Sequence, residues 1–105
     1  MDMGNIMKQA QEMQQKMVQI QEELARKQIT GEAGGGMVKV MANGRGEILS
    51  VNIEQEMVNA DELEMLQDLI TAAANDALTK AKELGSKEMG HLTGGLKIPG
   101  LSNIF

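Results

Sequence analysis

The stretch from Gly31 to Ile53 constrains this chain more than any other: GEAGGG, MVKVMA, NGRG and EILSVNI in succession. Two glycine-bearing turns punctuate short runs in which apolar and polar residues alternate, the pattern of strands joined by tight connections. Asn43-Gly44 between apolar runs is a strong hairpin signal, because both residue types accept φ > 0. Two registers compete. A two-residue loop at Asn43-Gly44 sets Val40 opposite Glu47 and leaves Met41 facing Gly46. A four-residue loop, Asn43 to Gly46, sets Ala42 opposite Glu47, Val40 opposite Leu49 and Val38 opposite Val51, with Met41 opposite Ile48 on the other face. A slip of one residue turns every side chain to the wrong face, so matched apolar pairs favour the longer loop. The four-residue loop is therefore expected.

Helical patterns flank this segment. Met3, Ile6, Ala10, Met13, Met17, Ile20 and Leu24 follow a 3-4 spacing, a heptad seam set among glutamines, lysines and glutamates. The spacing predicts a helix over about residues 4–28, a rod roughly 36 Å long, packing in its own domain or a dimer. Lys27 breaks the seam, and Lys8 and Arg26 lie on the opposite, solvent-facing side. Strands are expected at about 29–34, 36–42 and 47–54. Ile29, Gly31 and Ala33 present small groups beside Val38 and Val40, which would let a helix approach closely. The other face collects Met37, Met41 and Ile48 among Lys39, Ser50 and Asn52, a candidate subunit contact. A second helix is expected over about 60–84, opening near Asn59 or Asp61 with an Asp61-x-x-Glu64 capping box and stopping at Gly85. Its broad apolar face runs from Leu63 through Ala73 and Ala77 to Leu84. Residues 1–88 thus form one α+β domain, and 89–105 a flexible tail with scattered apolar groups.

Composition excludes much. The chain of 105 residues has no cysteine and one aromatic residue, Phe105, so its core must come from aliphatic residues and ten methionines. Disulfides and thiolate metal sites are absent. The start, MDMGNIMKQAQ, lacks an apolar signal region and no run approaches 18 apolar residues, so a cytoplasmic protein with no membrane partner is expected. His91 has no companion at metal or catalytic spacing. Gly34-Gly35-Gly36 leads into a strand with no Gly-Lys-Ser/Thr after it, so it is a turn and not a phosphate cradle. No enzyme, cofactor, metal or small-molecule substrate is expected. Net charge is −5, with acid gathered between Asp61 and Asp76, ahead of Lys80 and Lys82. That balance argues against strong capture of nucleic acid by a monomer and leaves any such role to local patches.

Taken together, GEAGGGMVKVMANGRGEILSVNI, the helix EMLQDLITAAANDALTKA and the tail MGHLTGGL resemble the YbaB/EbfC family of bacterial nucleoid-associated proteins. The resemblance spans nearly the whole chain. It implies an α-β-β-β-α fold with a three-stranded antiparallel sheet, a homodimer whose helices project like tweezer arms, and DNA binding without catalysis in the nucleoid. The leading expectation is a homodimer on double-stranded DNA, acting in nucleoid organisation or gene regulation. Candidate phosphate contacts are Lys8, Arg26 and Lys27 from the first helix, and Lys80, Lys82 and Lys87 near the end of the second. Met37, Met41 and Ile48 are the candidate dimer contacts. The competing expectation is a protein–protein adaptor using the methionine-rich seam and apolar tail, since methionine adapts to irregular partners.

Overall fold

The computed structural model describes residues 3–93; of the expected tail 89–105, residues 89–93 are helical and residues 94–105 lie outside the described residues. Helix α1 (Met3–Arg26) leads into strands β1 (Gln28–Ala33), β2 (Val38–Asn43) and β3 (Ile48–Ile53). Two 3-10 turns, Gln55–Met57 and Ala60–Glu62, precede helix α2 (Leu63–Thr93). The strands form an antiparallel sheet in the order β1-β2-β3, and α2 lies across β1 and β2. The fold is α+β in the expected α-β-β-β-α order. Val38, Val40 and Ala42 are fully buried beneath Leu66, Ala73 and Ala77 of α2, with Met57 closing one end. Gly31 explains how near the layers come. A Cβ there would stand 2.5 Å from the Ala73 carbonyl oxygen and against the Ala77 backbone.

The hairpin departs from the expected register. The loop between β2 and β3 has three residues, Gly44-Arg45-Gly46, closed by Asn43 N–H donating to the Glu47 carbonyl at 3.0 Å. Gly46 has φ +84°, the left-handed residue that ends a three-residue hairpin loop. Asn43 is the reason. Its Oδ1 accepts from the backbone N–H groups of Arg45 and Glu47, and its Nδ2 donates to Glu47 Oε1, all at 3.0 Å. Ala42 then faces Ile48, a bulge follows at Leu49, and Met41 faces Ser50, Val40 Val51 and Val38 Ile53. Apolar pairing alone could not reveal a buried asparagine clasp or the extra residue of a bulge.

The second helix also departs from expectation. It runs through Gly85 to Thr93 and does not stop near residue 84. An interior glycine costs only about 1 kcal/mol against alanine, and the apolar face continues to the buried Ala81 and Met89. Lys27 of the α1–β1 junction further ties these last turns, its Nζ 2.8 Å from Glu88 Oε1. At the start, Asn59 Oδ1 accepts from Asp61 N–H at 3.1 Å, so Asn59 and not Asp61 caps the entry. Helix α1 touches the body only at its end. Leu24 is its one buried residue, and the molecule measures 70 × 25 × 16 Å.

Candidate nucleic-acid interface

The six lysines and arginines singled out from sequence divide into two groups. Lys8, Arg26, Lys82 and Lys87 have no ion pair among the described residues. Lys27 and Lys80 are engaged. Lys27 holds Glu88 and, against an opposing desolvation, keeps that carboxyl below its ordinary value. Lys80 stands 3.1 Å from Asp76 Oδ2, one turn earlier on α2, and donates to the Thr30 carbonyl at 3.2 Å. Asp76 in turn accepts from Glu32 N–H at 3.0 Å. That backbone donor first, and Lys80 second, hold the Asp76 carboxyl below its usual range.

This clasp has a structural meaning. A free sheet edge offers unpaired N–H and C=O groups to any passing strand. On β1, Asp76 takes the N–H of Glu32 and Lys80 takes the carbonyl of Thr30, so side chains of α2 do what a neighbouring strand would do. No such side chain covers β3 among the described residues. Its Leu49 and Val51 are 50% and 48% exposed, and Ile48 is exposed beside them. Of the three candidate dimer contacts, Ile48 lies on this uncovered strand and Met41 is half-buried on β2. Met37 packs against its own core beside Leu69, so the structure does not bring the three together as one patch.

The tip of the hairpin docks where α1 ends. Gly44 N–H donates to the Leu24 carbonyl at 2.7 Å, and a Cβ at Gly44 would lie 2.8 Å from that same oxygen. The docking places Arg45 in a cleft of about 430 Å³ between α1, the hairpin and α2, whose walls include Met17, Leu78, Met89 and Lys82. Arg45 meets Glu47 only loosely, at 3.9 Å. Sequence reasoning overlooked Arg45. The available signal was its position as the sole charged residue of a glycine-bounded hairpin tip. No cluster of three or more metal-ligating side chains occurs among the described residues, and none of their helices is long and apolar enough to cross a membrane.

Known proteins share this chain's pattern. A nucleoid-associated protein from Desulfotalea psychrophila is 59% identical over 105 residues, covering 100% of this chain and 99% of its own. Another nucleoid-associated protein, from Pelotomaculum thermopropionicum, is 55% identical over 100 residues, covering 95% of each. The crystal structure of an uncharacterized protein from Helicobacter pylori superposes with a TM-score of 0.81 at 26% identity, covering 90% of this chain and 99% of that one. These similarities do not favour the adaptor reading. The family model for the YbaB/EbfC DNA-binding family matches residues 1–96, and this chain belongs to that family.

Proposed function

We propose that this protein is a nucleoid-associated DNA-binding protein that works as a homodimer, with its helical arms on the phosphates of duplex DNA. Family membership supports DNA as the partner, and the relatives' names support the nucleoid as the place. The observation that carries the use of arms is the exposure of α1: a 24-residue helix that buries only Leu24. A helix so long and so little packed is stabilised poorly by its own fold, and it offers its polar face along its whole length.

Lys8, Arg26, Lys82 and Lys87 are the proposed phosphate contacts, with Arg45 joining Lys82 across the cleft. Lys27 and Lys80 contribute less, because Glu88 and Asp76 already offset their charge. The net charge of −5 does not forbid this. At physiological salt, charges beyond about 8 Å are largely screened, so a phosphate responds to the cations beside it. Dimerisation doubles the contacts. The proposed dimer surface centres on β3, with Ile48 and Met41 and with Leu49 and Val51 added, because β1 is the edge that α2 closes.

Fluorescence anisotropy on two unrelated duplexes over a salt series tests the reading. Affinity should fall with a log–log slope of roughly 7–9 per dimer, about 0.9 for each phosphate that the contacts of two protomers neutralise, and the slope should be nearly the same on both duplexes. Lys8→Glu with Arg26→Glu should weaken binding on both and flatten that slope by about 0.9 for each phosphate that is no longer neutralised. A parent protein that ignores salt, or a variant that binds as well as the parent, would overturn the assignment.

A further inference from the structure

The face of α1 turned away from its apolar seam has an unusual make-up. Gln11, Gln14, Gln15, Val18, Gln19 and Glu22 line one shallow hollow along the exposed helix. None of these side chains hydrogen-bonds another described residue, and Val18 stands 52% exposed in their midst. Lys8 and Arg26 lie on this same face at its two ends, about 27 Å apart at ~1.5 Å per residue. A face whose only task is solubility is well served by alternating charges at i, i+4. Here the centre carries amides around a branched aliphatic group, and the cations sit at the margins.

We propose that this glutamine face of α1 reads base edges in the major groove of the duplex, with preference for A·T pairs. The inference rests on the DNA-binding reading above and adds to it which groups discriminate sequence. An α-helix with its side chains is about 10–12 Å across, matched to a major groove about 12 Å wide. Lys8 and Arg26 meet phosphates at the ends of the contact and set its register. Gln11, Gln15 and Gln19, spaced four apart, fall on one line along the helix. A glutamine amide donates to adenine N7 while its oxygen accepts from the adenine 6-amino group, a bidentate pair that no other base offers in the same order. Val18 supplies the apolar contact that a thymine methyl group prefers, and Glu22 accepts from a cytosine 4-amino group at one end. Amides are suited to this work because they add no charge to an acidic chain and leave electrostatic affinity to the flanking cations.

The test uses the full chain. Duplexes carrying a random central segment are selected for binding to the parent, and the enriched sequence is compared with a scrambled duplex of equal length by anisotropy. A second comparison replaces the adenines of the enriched duplex by 7-deazaadenine, which removes N7 from the major groove and leaves the minor groove unaltered. The parent should prefer the enriched duplex by at least about fivefold, the lower end for one good bidentate pair, and should lose most of that preference on the 7-deaza duplex. Gln11→Ala/Gln15→Ala/Gln19→Ala should lose most of the parent's preference among the three duplexes and all of its response to N7, with an unchanged salt slope. Alanine is the best helix former, so circular dichroism should match the parent. Lys8→Glu/Arg26→Glu should bind all three more weakly yet keep the ratio. A triple variant that keeps the parent's preference, a parent indifferent to N7, or a parent that binds DNA without enriching any sequence would overturn the proposal and leave the phosphate-binding reading standing. A parent that binds no duplex at low salt would overturn both.

Discussion

Gly31 shows how one hydrogen atom can decide the distance between two layers. Its Cα hydrogen faces the α2 backbone at Ala73 and Ala77, where no methyl group fits. Gly31→Ala must therefore push α2 off β1 and open the layer beneath it, at a cost of about 3 kcal/mol or more for overpacking against backbone. Thermal melting by circular dichroism should show a large drop; an unchanged midpoint would mean that the layers separate freely. A few residues away, Asp76 carries a pH dependence. Its carboxyl is held below the ordinary value in the folded chain by the Glu32 N–H and then by Lys80. Such a group contributes stability that is complete above the unfolded-state pKa and lost as the pH falls through the folded-state one. Asp76→Asn should thus lower the melting midpoint at neutral pH, and parent and variant should converge as the pH falls below the carboxylate range. The group is exposed, so the effect is small. Parallel pH profiles would show that the clasp contributes nothing.

Among the elements, α2 is the one whose extent the sequence misrepresents. Gly85 has the residue type of a helix stop, yet the helix passes through it because Met89 is buried one turn beyond and Glu88 is held by Lys27. Among the described residues, a Cβ at Gly85 would meet only the Gly44 carbonyl oxygen, at 3.9 Å, an ordinary contact. None of these residues requires glycine at this place. Gly85→Ala should stabilise the protein by about 0.5–1 kcal/mol through helix propensity and a less disordered unfolded chain. In a domain of this size that corresponds to a rise of roughly 4 °C in the melting midpoint. A fall in the midpoint would mean that the helix needs glycine there after all. The sheet tells a related story. Its strands lie where the period-2 pattern puts them, but the pairing of β2 with β3 is decided by Asn43 and the Leu49 bulge.

At the scale of the molecule, the two sheet edges differ, and the proposed dimer rests on that difference. The Asp76–Lys80 clasp covers β1, whereas β3 exposes Ile48, Leu49 and Val51 next to an open backbone edge. A small, thin domain leaves much apolar surface that a second copy can cover. Analytical ultracentrifugation at micromolar concentration should give about twice 11.4 kDa. Leu49→Asp with Val51→Asp should shift the protein toward the monomer by setting charges on the contact, while Met37→Gln should act mainly on stability, since that side chain packs in its own core. A parent that sediments as a folded monomer would remove the dimer, and with it the doubling of phosphate contacts.

Much of this was legible in the residues themselves. Strand and helix identities follow from periods of 2 and 3.6, which any short window displays. The small face of Ile29, Gly31 and Ala33 announced a close helix, and the order of segments pointed to the family. What the tertiary structure decided lies in pairings between distant residues. Lys27 meets Glu88 across 61 positions, Lys80 meets Thr30 across 50 and Asp76 meets Glu32 across 44. No local pattern encodes such partners, so sequence could number the lysines but not tell which were engaged. Arg45 and Lys82 line one cleft for the same reason: a hairpin tip and a helix 37 residues further along the chain come to face that cleft when the Gly44 N–H meets the end of α1. Periodicity is a property of neighbours in sequence, and electrostatic pairing is a property of neighbours in space.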